Sequence, residues 1–135
     1  MGADRFVAAG EGEAETVRNA LGGAPTIVVE CVGTPGMLAR ALGLVGTLGQ
    51  LVSLGFCTAP DAVVPAVAAM KGATLHFPVG YALADFEAVA RVYDRAHADP
   101  ALMVSSRCTL EAVPDMFARL RGDNAETKVH VLCRP

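Results

Sequence analysis

Two hydrophobic periods alternate along the chain. Short apolar runs of strand length fall at residues 26–32 (TIVVECV), 50–56 (QLVSLGF) and 73–79 (ATLHFPV). The first is continuous and β-branched, which suits a strand covered on both faces, as in a parallel sheet. Between these runs the period becomes that of a helix. Glu13–Leu21 (EAETVRNAL) is built of good helix formers and stops at Gly22-Gly23, with Pro25 just beyond. Thr34 is placed to cap a second helix with Pro35 at its first position. Met37, Leu38, Ala41, Leu42, Leu44 and Val45 then mark one apolar face, closed by Gly46 and Gly49. Asp61 opens a third helical stretch, DAVVPAVAAMKG, which Pro65 shortens or shifts.

Beyond a turn at Gly80-Tyr81, residues 83–97 form the clearest amphipathic helix, with Phe86, Val89, Ala90 and Tyr93 on one face and His97 at its end. Residues 102–108 predict an extended segment. Residues 110–120 predict a helix with Val113, Met116, Phe117 and Leu120 inward and Pro114 in the first turn, where a missing N–H does no harm. Gly122-Asp123-Asn124 turn the chain, and residues 128–133 (KVHVLC) alternate as a closing strand. Helix and strand thus alternate throughout, which predicts an α/β fold with a mostly parallel sheet flanked by helices. No internal repeat, low-complexity tract or linker interrupts it.

Composition changes this picture in one respect. Of the 135 residues, 53% are hydrophobic and 19% charged, and the mean hydropathy is +0.41. That is more apolar material than a lone monomer of this size needs, pointing either to covered surface or to a composition simply rich in Ala and Val. The net charge of −3 and the scatter of eleven Lys and Arg give no footprint for nucleic acid. Two Tyr, five Phe and no Trp offer no platform for stacking single strands. Arg40, Gln50 and Lys71 interrupt every run that could span a membrane, and the N-terminus lacks the apolar stretch of a signal peptide, so the expected location is cytoplasmic. Cys31, Cys57, Cys108 and Cys133 form no CxxC pair and read as small apolar thiols in a reducing compartment.

Candidate chemistry is sparse. The chain holds no G-x-G-x-x-G and no G-x-x-x-x-G-K-[ST]. His76, His97 and His130 are far apart, Ser53, Ser105 and Ser106 lie in no nucleophile elbow, and neither a catalytic residue nor a metal ligand is assigned. Glu30 is the unusual acid. Inside an apolar strand, burial would raise its pKa or demand a partner, unless it stands at the exposed strand end. Gly33 and Gly55, each just past a predicted strand, permit close approach of a ligand at the carboxyl ends of the strands, where open α/β sheets bind ligands.

Taken together the motifs resemble the zinc-type medium-chain dehydrogenase/reductase family of alcohol, polyol and threonine dehydrogenases. The residues that carry the resemblance run in order along the chain. They are Glu30-Cys31-Val32-Gly33 with Pro35-Gly36, then Gly49-Gln50-Leu51-Val52-Ser53-Leu54-Gly55 one helix later, then Thr74-Leu75 with Gly80-Tyr81 and Asp85-Phe86. MVSSRCTLEAVPDMFARL is similar to the family's late E-x-V-P-x-x-F-x-x-L stretch, Lys128-Val129-His130-Val131 to its closing strand, and Gly2-Ala3-Asp4 to its mid-chain L-G-A-D. His76-Phe77-Pro78 is bulkier than the family's turn there, and Thr127 stands where a Gly usually precedes Lys128.

The resemblance implies the carboxyl-terminal part of such an enzyme: residues 1–80 as the second half of a Rossmann-like cofactor domain, and residues 81–135 as helices and strands returning to the catalytic domain. In the family, that catalytic domain and the glycine-rich phosphate loop come earlier in the chain, and zinc belongs to the full-length relatives. The implied cofactor is NAD or NADP. Val32, Gly33, Leu54, Gly55, Phe56, Pro78 and Val79 are implied to meet its nicotinamide and ribose, and Lys128 to lie near its pyrophosphate. Glu30 becomes a family-typical strand residue, and residues 61–65 fall where family dimers pair. The implied role is to position the nicotinamide and support dimer contacts, without activity in isolation. The implied partners are a second copy of the chain or a separate amino-terminal part. The alternative is a non-catalytic, self-associating or interaction module derived from the same fold.

Overall fold

A computed structural model describes residues 3–95, 99–122 and 124–133. The expected alternation is present. The chain divides into two compact units, Ala3–Tyr81 and Ala82 onward. The first contains helices α1 (Glu13–Leu21), α2 (Met37–Leu44) and α3 (Pro65–Lys71) and strands β1 (Ile27–Glu30), β2 (Gln50–Ser53) and β3 (Thr74–His76). The strands form a parallel sheet in the order β1-β2-β3. The second contains α4 (Leu83–Asp94), a 3-10 turn at Pro100–Met103, β4 (Ser106–Thr109), α5 (Val113–Leu120) and β5 (Val129–Leu132), with β4 and β5 paired in parallel. His97, expected at a helix end, and Asp123 lie outside the described residues.

The core of the first unit lies on one face of its sheet. Register brings Val28 beside Leu51 and Leu51 beside Leu75. Fully buried Leu51 packs with Ala41, Leu42 and Val45 from α2 and its C-cap, with Val67 and Ala68 of α3 alongside. The opposite face is not covered: Ile27 is 58% and Val29 50% exposed. The β-branched run of residues 26–32 therefore serves a strand buried on one side, and its composition alone could not separate the two cases.

Helix α2 departs from its expected start, and the reason is long-range. Thr34 and Pro35 precede it in a turn, with the Thr34 carbonyl accepting from Met37 N at 3.2 Å, and Gly36 is the N-cap at φ +89°. The cap is supplied by Asp61, whose carboxylate accepts from Gly36 N at 2.7 Å and Leu38 N at 3.1 Å. At the other end the Lys71 ammonium donates to the carbonyls of Leu42 (2.7 Å), Gly43 (3.0 Å) and Val45 (2.7 Å). An anion thus sits on the amide end of α2 and a cation on its carbonyl end, each satisfying groups the helix cannot pair itself. Both come from the segment that contains α3. Pro65 occupies the first turn of α3, so the helix begins there and not at Asp61.

Other boundaries also tighten. Each sheet strand is shorter than its apolar run, and the remaining residues form the turns described below. Residues 100–103 coil into the 3-10 turn because Pro100 opens it and the Asp99 carboxylate accepts from Ala101 N at 2.8 Å, so the extended segment begins only afterwards. In α5, Pro114 lies in the first turn as required, and the helix starts at Val113. Of its expected inward residues, Phe117 remains 64% and Leu120 37% exposed.

Candidate functional site

The chain leaves β1 and β2 on the same side of the sheet, and the two turns interlock. Glu30 is the last residue of β1 and is buried. One of its carboxylate oxygens accepts from Val32 N at 2.6 Å and Gly33 N at 2.7 Å, and the other accepts from Ser53 Oγ at 3.1 Å. The Glu30 carbonyl accepts from Leu54 N at 2.8 Å and Gly55 N at 2.9 Å. The Gly33 amide above all, then Val32 and the Ser53 hydroxyl, hold the carboxyl below its usual pKa; burial and the nearby Asp61 charge oppose them and are outweighed. Of the expected alternatives, burial with a hydrogen-bond partner holds, while a raised pKa and an exposed position are corrected: Glu30 is an ionised clamp folding its own turn back onto β2.

The two glycines are explained by the same lock. Gly33 has φ +71°, and a Cβ there would lie 2.6 Å from Phe56 N; a Cβ on Gly55 would lie 2.2 Å from Gly33 N and 2.6 Å from Glu30 Oε2. What approaches each glycine closely is the backbone of the opposite turn.

Beside this lock, at the carboxyl ends of the three strands, lies a cleft of about 340 Å³. Leu54, Gly55 and Phe56 line it after β2, Phe77, Pro78 and Val79 after β3, and Glu30, Ser53 and Asp61 form its polar floor. Five of the residues expected at a cofactor therefore share one cleft. Val32 and Gly33 are not among its lining; Val32, 65% exposed, borders a separate groove with Cys31, Met37 and Arg40. Lys128 belongs to the second unit, where it lines a pocket with Tyr93, Arg107 and His130.

The polar capacity of the cleft is restricted. The amides of Val32, Gly33, Leu54 and Gly55 are taken by Glu30, and the Asp61 oxygens by α2. What remains for a ligand is mostly apolar wall, with turn carbonyls and the Thr34 hydroxyl among its polar groups. A nicotinamide fits that surface: its ring is flat and its carboxamide carries an NH2 donor. Zinc does not fit these residues. Among those described, no three His, Cys, Asp or Glu side chains gather to hold a metal ion, and a zinc site needs such a set.

Asp61 is the site residue that sequence reasoning missed as a cap. It stands twenty-five positions from the amide it binds, and no local spacing rule reaches that far. Phe77 was named only as bulky, and its place in the cleft wall follows from β3 ending one residue earlier.

A sequence profile described as zinc-binding dehydrogenase matches residues 1–95. Three solved structures superpose on most of the chain. An E. coli CFT073 protein described as a short chain alcohol dehydrogenase, complexed with NADH, is 19% identical with a TM-score of 0.81, over 95% of this chain and 38% of its own. 2R,3R-butanediol dehydrogenase from Bacillus subtilis is 19% identical with a TM-score of 0.76, over 99% and 36%. An alcohol dehydrogenase from Thermus sp. ATN1 is 25% identical with a TM-score of 0.77, over 90% and 35%. This chain thus spans little more than a third of the structures it resembles. No curated protein matches it. Among the described residues no helix is long and apolar enough to cross a membrane.

Proposed function

The chain belongs to the zinc-binding dehydrogenase family, and from that premise we propose that its cleft receives the nicotinamide half of NAD or NADP. The reading is carried by one observation: Leu54, Gly55, Phe56, Pro78 and Val79 line a single cleft at the carboxyl ends of the parallel strands, where open α/β sheets bind ligands. Leu54, Phe56 and Val79 press on the ring and exclude water. Carbonyls of the turn after β2 accept from the carboxamide, and Val32 and Gly33, which do not line the cleft, act through their amide hydrogen bonds to Glu30 that hold the turn in place. The Glu30 lock holds the two turns so that none of these groups must be ordered when the ligand arrives. The cofactor, when bound, supplies the hydride chemistry; these residues position it. No zinc-dependent step is assigned to them.

Saturation-transfer NMR on the whole chain tests this reading. With NADH, nicotinamide ring protons are expected to receive the strongest transfer, and Phe56→Asp is expected to abolish it. Phe56 is 80% exposed, so the substitution leaves the fold intact. Equal transfer to adenine and nicotinamide, or an unaltered signal in Phe56→Asp, rejects the assignment. Positioning without chemistry also predicts no alcohol-dependent NAD(P)H signal from the purified chain with zinc added.

A self-associating module is the second reading, favoured by the uncovered sheet face at Ile27 and Val29. Residues 61–65, which include exposed Val64, are the proposed dimer contact. Light scattering after size exclusion distinguishes the readings: a strict monomer with a cooperative melt sinks the second.

A further inference from the structure

The cleft beyond β2 and β3 holds two carboxylates and no cation. Glu30 and Asp61 line it together with Phe56 and Phe77, and no Lys, Arg or His stands among the described residues of its wall. The ion pairs among the described residues are Glu13–Arg40, Glu87–Arg91 and Glu126–Arg119, so neither cleft acid is neutralised by a basic side chain there. Their partners are uncharged: the Val32 and Gly33 amides and the Ser53 hydroxyl for Glu30, the Gly36 and Leu38 amides for Asp61. Such dipoles offset part of a carboxylate's field and leave its unit charge in place. The aromatic walls act in the same direction. Phe56 and Phe77 are both largely exposed, and the face of an aromatic ring attracts a cation within about 6 Å. A cleft of about 340 Å³ keeps a bound ring close to all four side chains, inside the screening length of roughly 8 Å at physiological salt.

We infer that this cleft selects the oxidised, cationic nicotinamide ring over the neutral reduced one, with Asp61 and Phe77 as residues that read the ring's charge. The inference rests on the nicotinamide reading above and adds to it the redox state of the ligand. NAD+ and NADH share their adenosine and pyrophosphate and differ by one hydride, so the ring alone changes from cation to neutral. An anionic floor and aromatic walls favour the first and are indifferent to the second. Linkage carries a consequence: the form bound more tightly is stabilised, so bound NAD+ is harder to reduce than free NAD+ and NADH leaves more readily. A tenfold preference lowers the reduction potential of the bound couple by about 30 mV.

Separate titrations of NAD+ and NADH into the whole chain at constant ionic strength, followed by the amide NMR signals of Leu54, Gly55 and Val79, test the preference. NAD+ is expected to bind about tenfold more tightly, the combined effect of two partly screened charges and an aromatic wall. Asp61→Asn removes one charge and keeps an oxygen for α2, because Asn caps a helix as well as Asp does. It should cut the preference about threefold, with the loss on the NAD+ side. Phe77→Leu keeps apolar bulk, removes the ring face and should cut it about twofold. Glu15→Gln, which removes an exposed acid of α1 outside the cleft, should leave it unchanged. Equal affinities, tighter NADH, a preference that Asp61→Asn leaves intact, or one that Glu15→Gln lowers as far as Asp61→Asn does all overturn the inference. Equal affinities with both ligands shifting the cleft amides leave the nicotinamide reading standing and reject only the charge selection. Cleft amides that neither ligand shifts reject both.

Discussion

The two units are built from similar parts and differ in what those parts bury. In Ala3–Tyr81, Leu51, Leu42, Val45 and Ala41 reach 5% exposure or less. Among the described residues of the unit beginning at Ala82, none is buried, although α5 is as amphipathic in pattern as α2. Two-stranded sheets are marginal without a covered face, and β4-β5 with α5 leaves Phe117, Leu120 and Val131 partly in water. A helical apolar stripe therefore states which face is to be covered and says nothing about what covers it.

The largest effect expected from this contrast is at Leu51. Leu51→Ala should cost about 2–5 kcal/mol, as for other fully buried leucines, read as a lowered urea midpoint. Phe117→Ala, at 64% exposure, should cost less than about 1 kcal/mol. Equal costs would break the contrast by showing that Phe117 has a covering surface.

Next comes the lock at the site. Gly55→Ala places a Cβ where the Gly33 backbone and Glu30 carboxylate already stand, and is expected to cost about 1–3 kcal/mol through forced separation of the turns. It should also weaken NADH ring contacts. A stable Gly55→Ala protein with intact contacts would show that the turns hold the cleft without the lock.

A smaller effect is expected from Asp61→Ala, about 1 kcal/mol for a lost N-cap. Lys71→Met should cost about 0.3–1 kcal/mol at the other end of α2. Both are read as shifts in denaturation midpoint; α5 lacks such a cap at its start, where N-cap Ala112 makes no side-chain cap bond, while at its end the uncharged Asn124 amide donates to the Leu120 carbonyl at 3.2 Å. If α5 resists denaturant as α2 does, long-range capping is not what separates the units.

These cases also show what could be read from residue order. The alternation of elements and the parallel pairing were legible because apolar period is a local property of the chain, and the turns at Gly33 and Gly55 were legible as close-approach points. What met there was not: the contact is turn on turn, and the partner of Glu30 is partly its own following amides. The one-sided burial of β1 was hidden because Ile27, Val28 and Val29 are equally apolar whichever side is covered. The capping of α2 by Asp61 and Lys71 was hidden because Thr34 offered a plausible local cap and the true one depends on how α3 packs. The pairing of Arg107 on β4 with His130 on β5 needed strand register, which short strands do not specify.

The smallest effects are those of pH, and they sharpen the comparison because the first unit holds one depressed carboxyl, Glu30, and the second holds two, Glu111 and Glu126. Glu30 is lowered chiefly by the Gly33 amide, and Glu126 chiefly by the Ser105 hydroxyl, which donates to it at 2.5 Å. For both, the folded pKa lies below the unfolded one, so the unfolded chain binds more protons. Stability is then complete above the ordinary carboxylate range and is lost as pH falls through it toward the folded values. Glu30→Gln should flatten this acid limb, because the amide cannot match two backbone donors and a hydroxyl as the carboxylate does. Glu126→Gln should flatten it less: Glu126 lies in a unit with no buried residue among those described, and water can replace its partners. Urea midpoints measured at descending pH for both variants test the order. A flatter limb in Glu126→Gln than in Glu30→Gln would mean that the second unit, and not the site lock, is the acid-sensitive part of the chain.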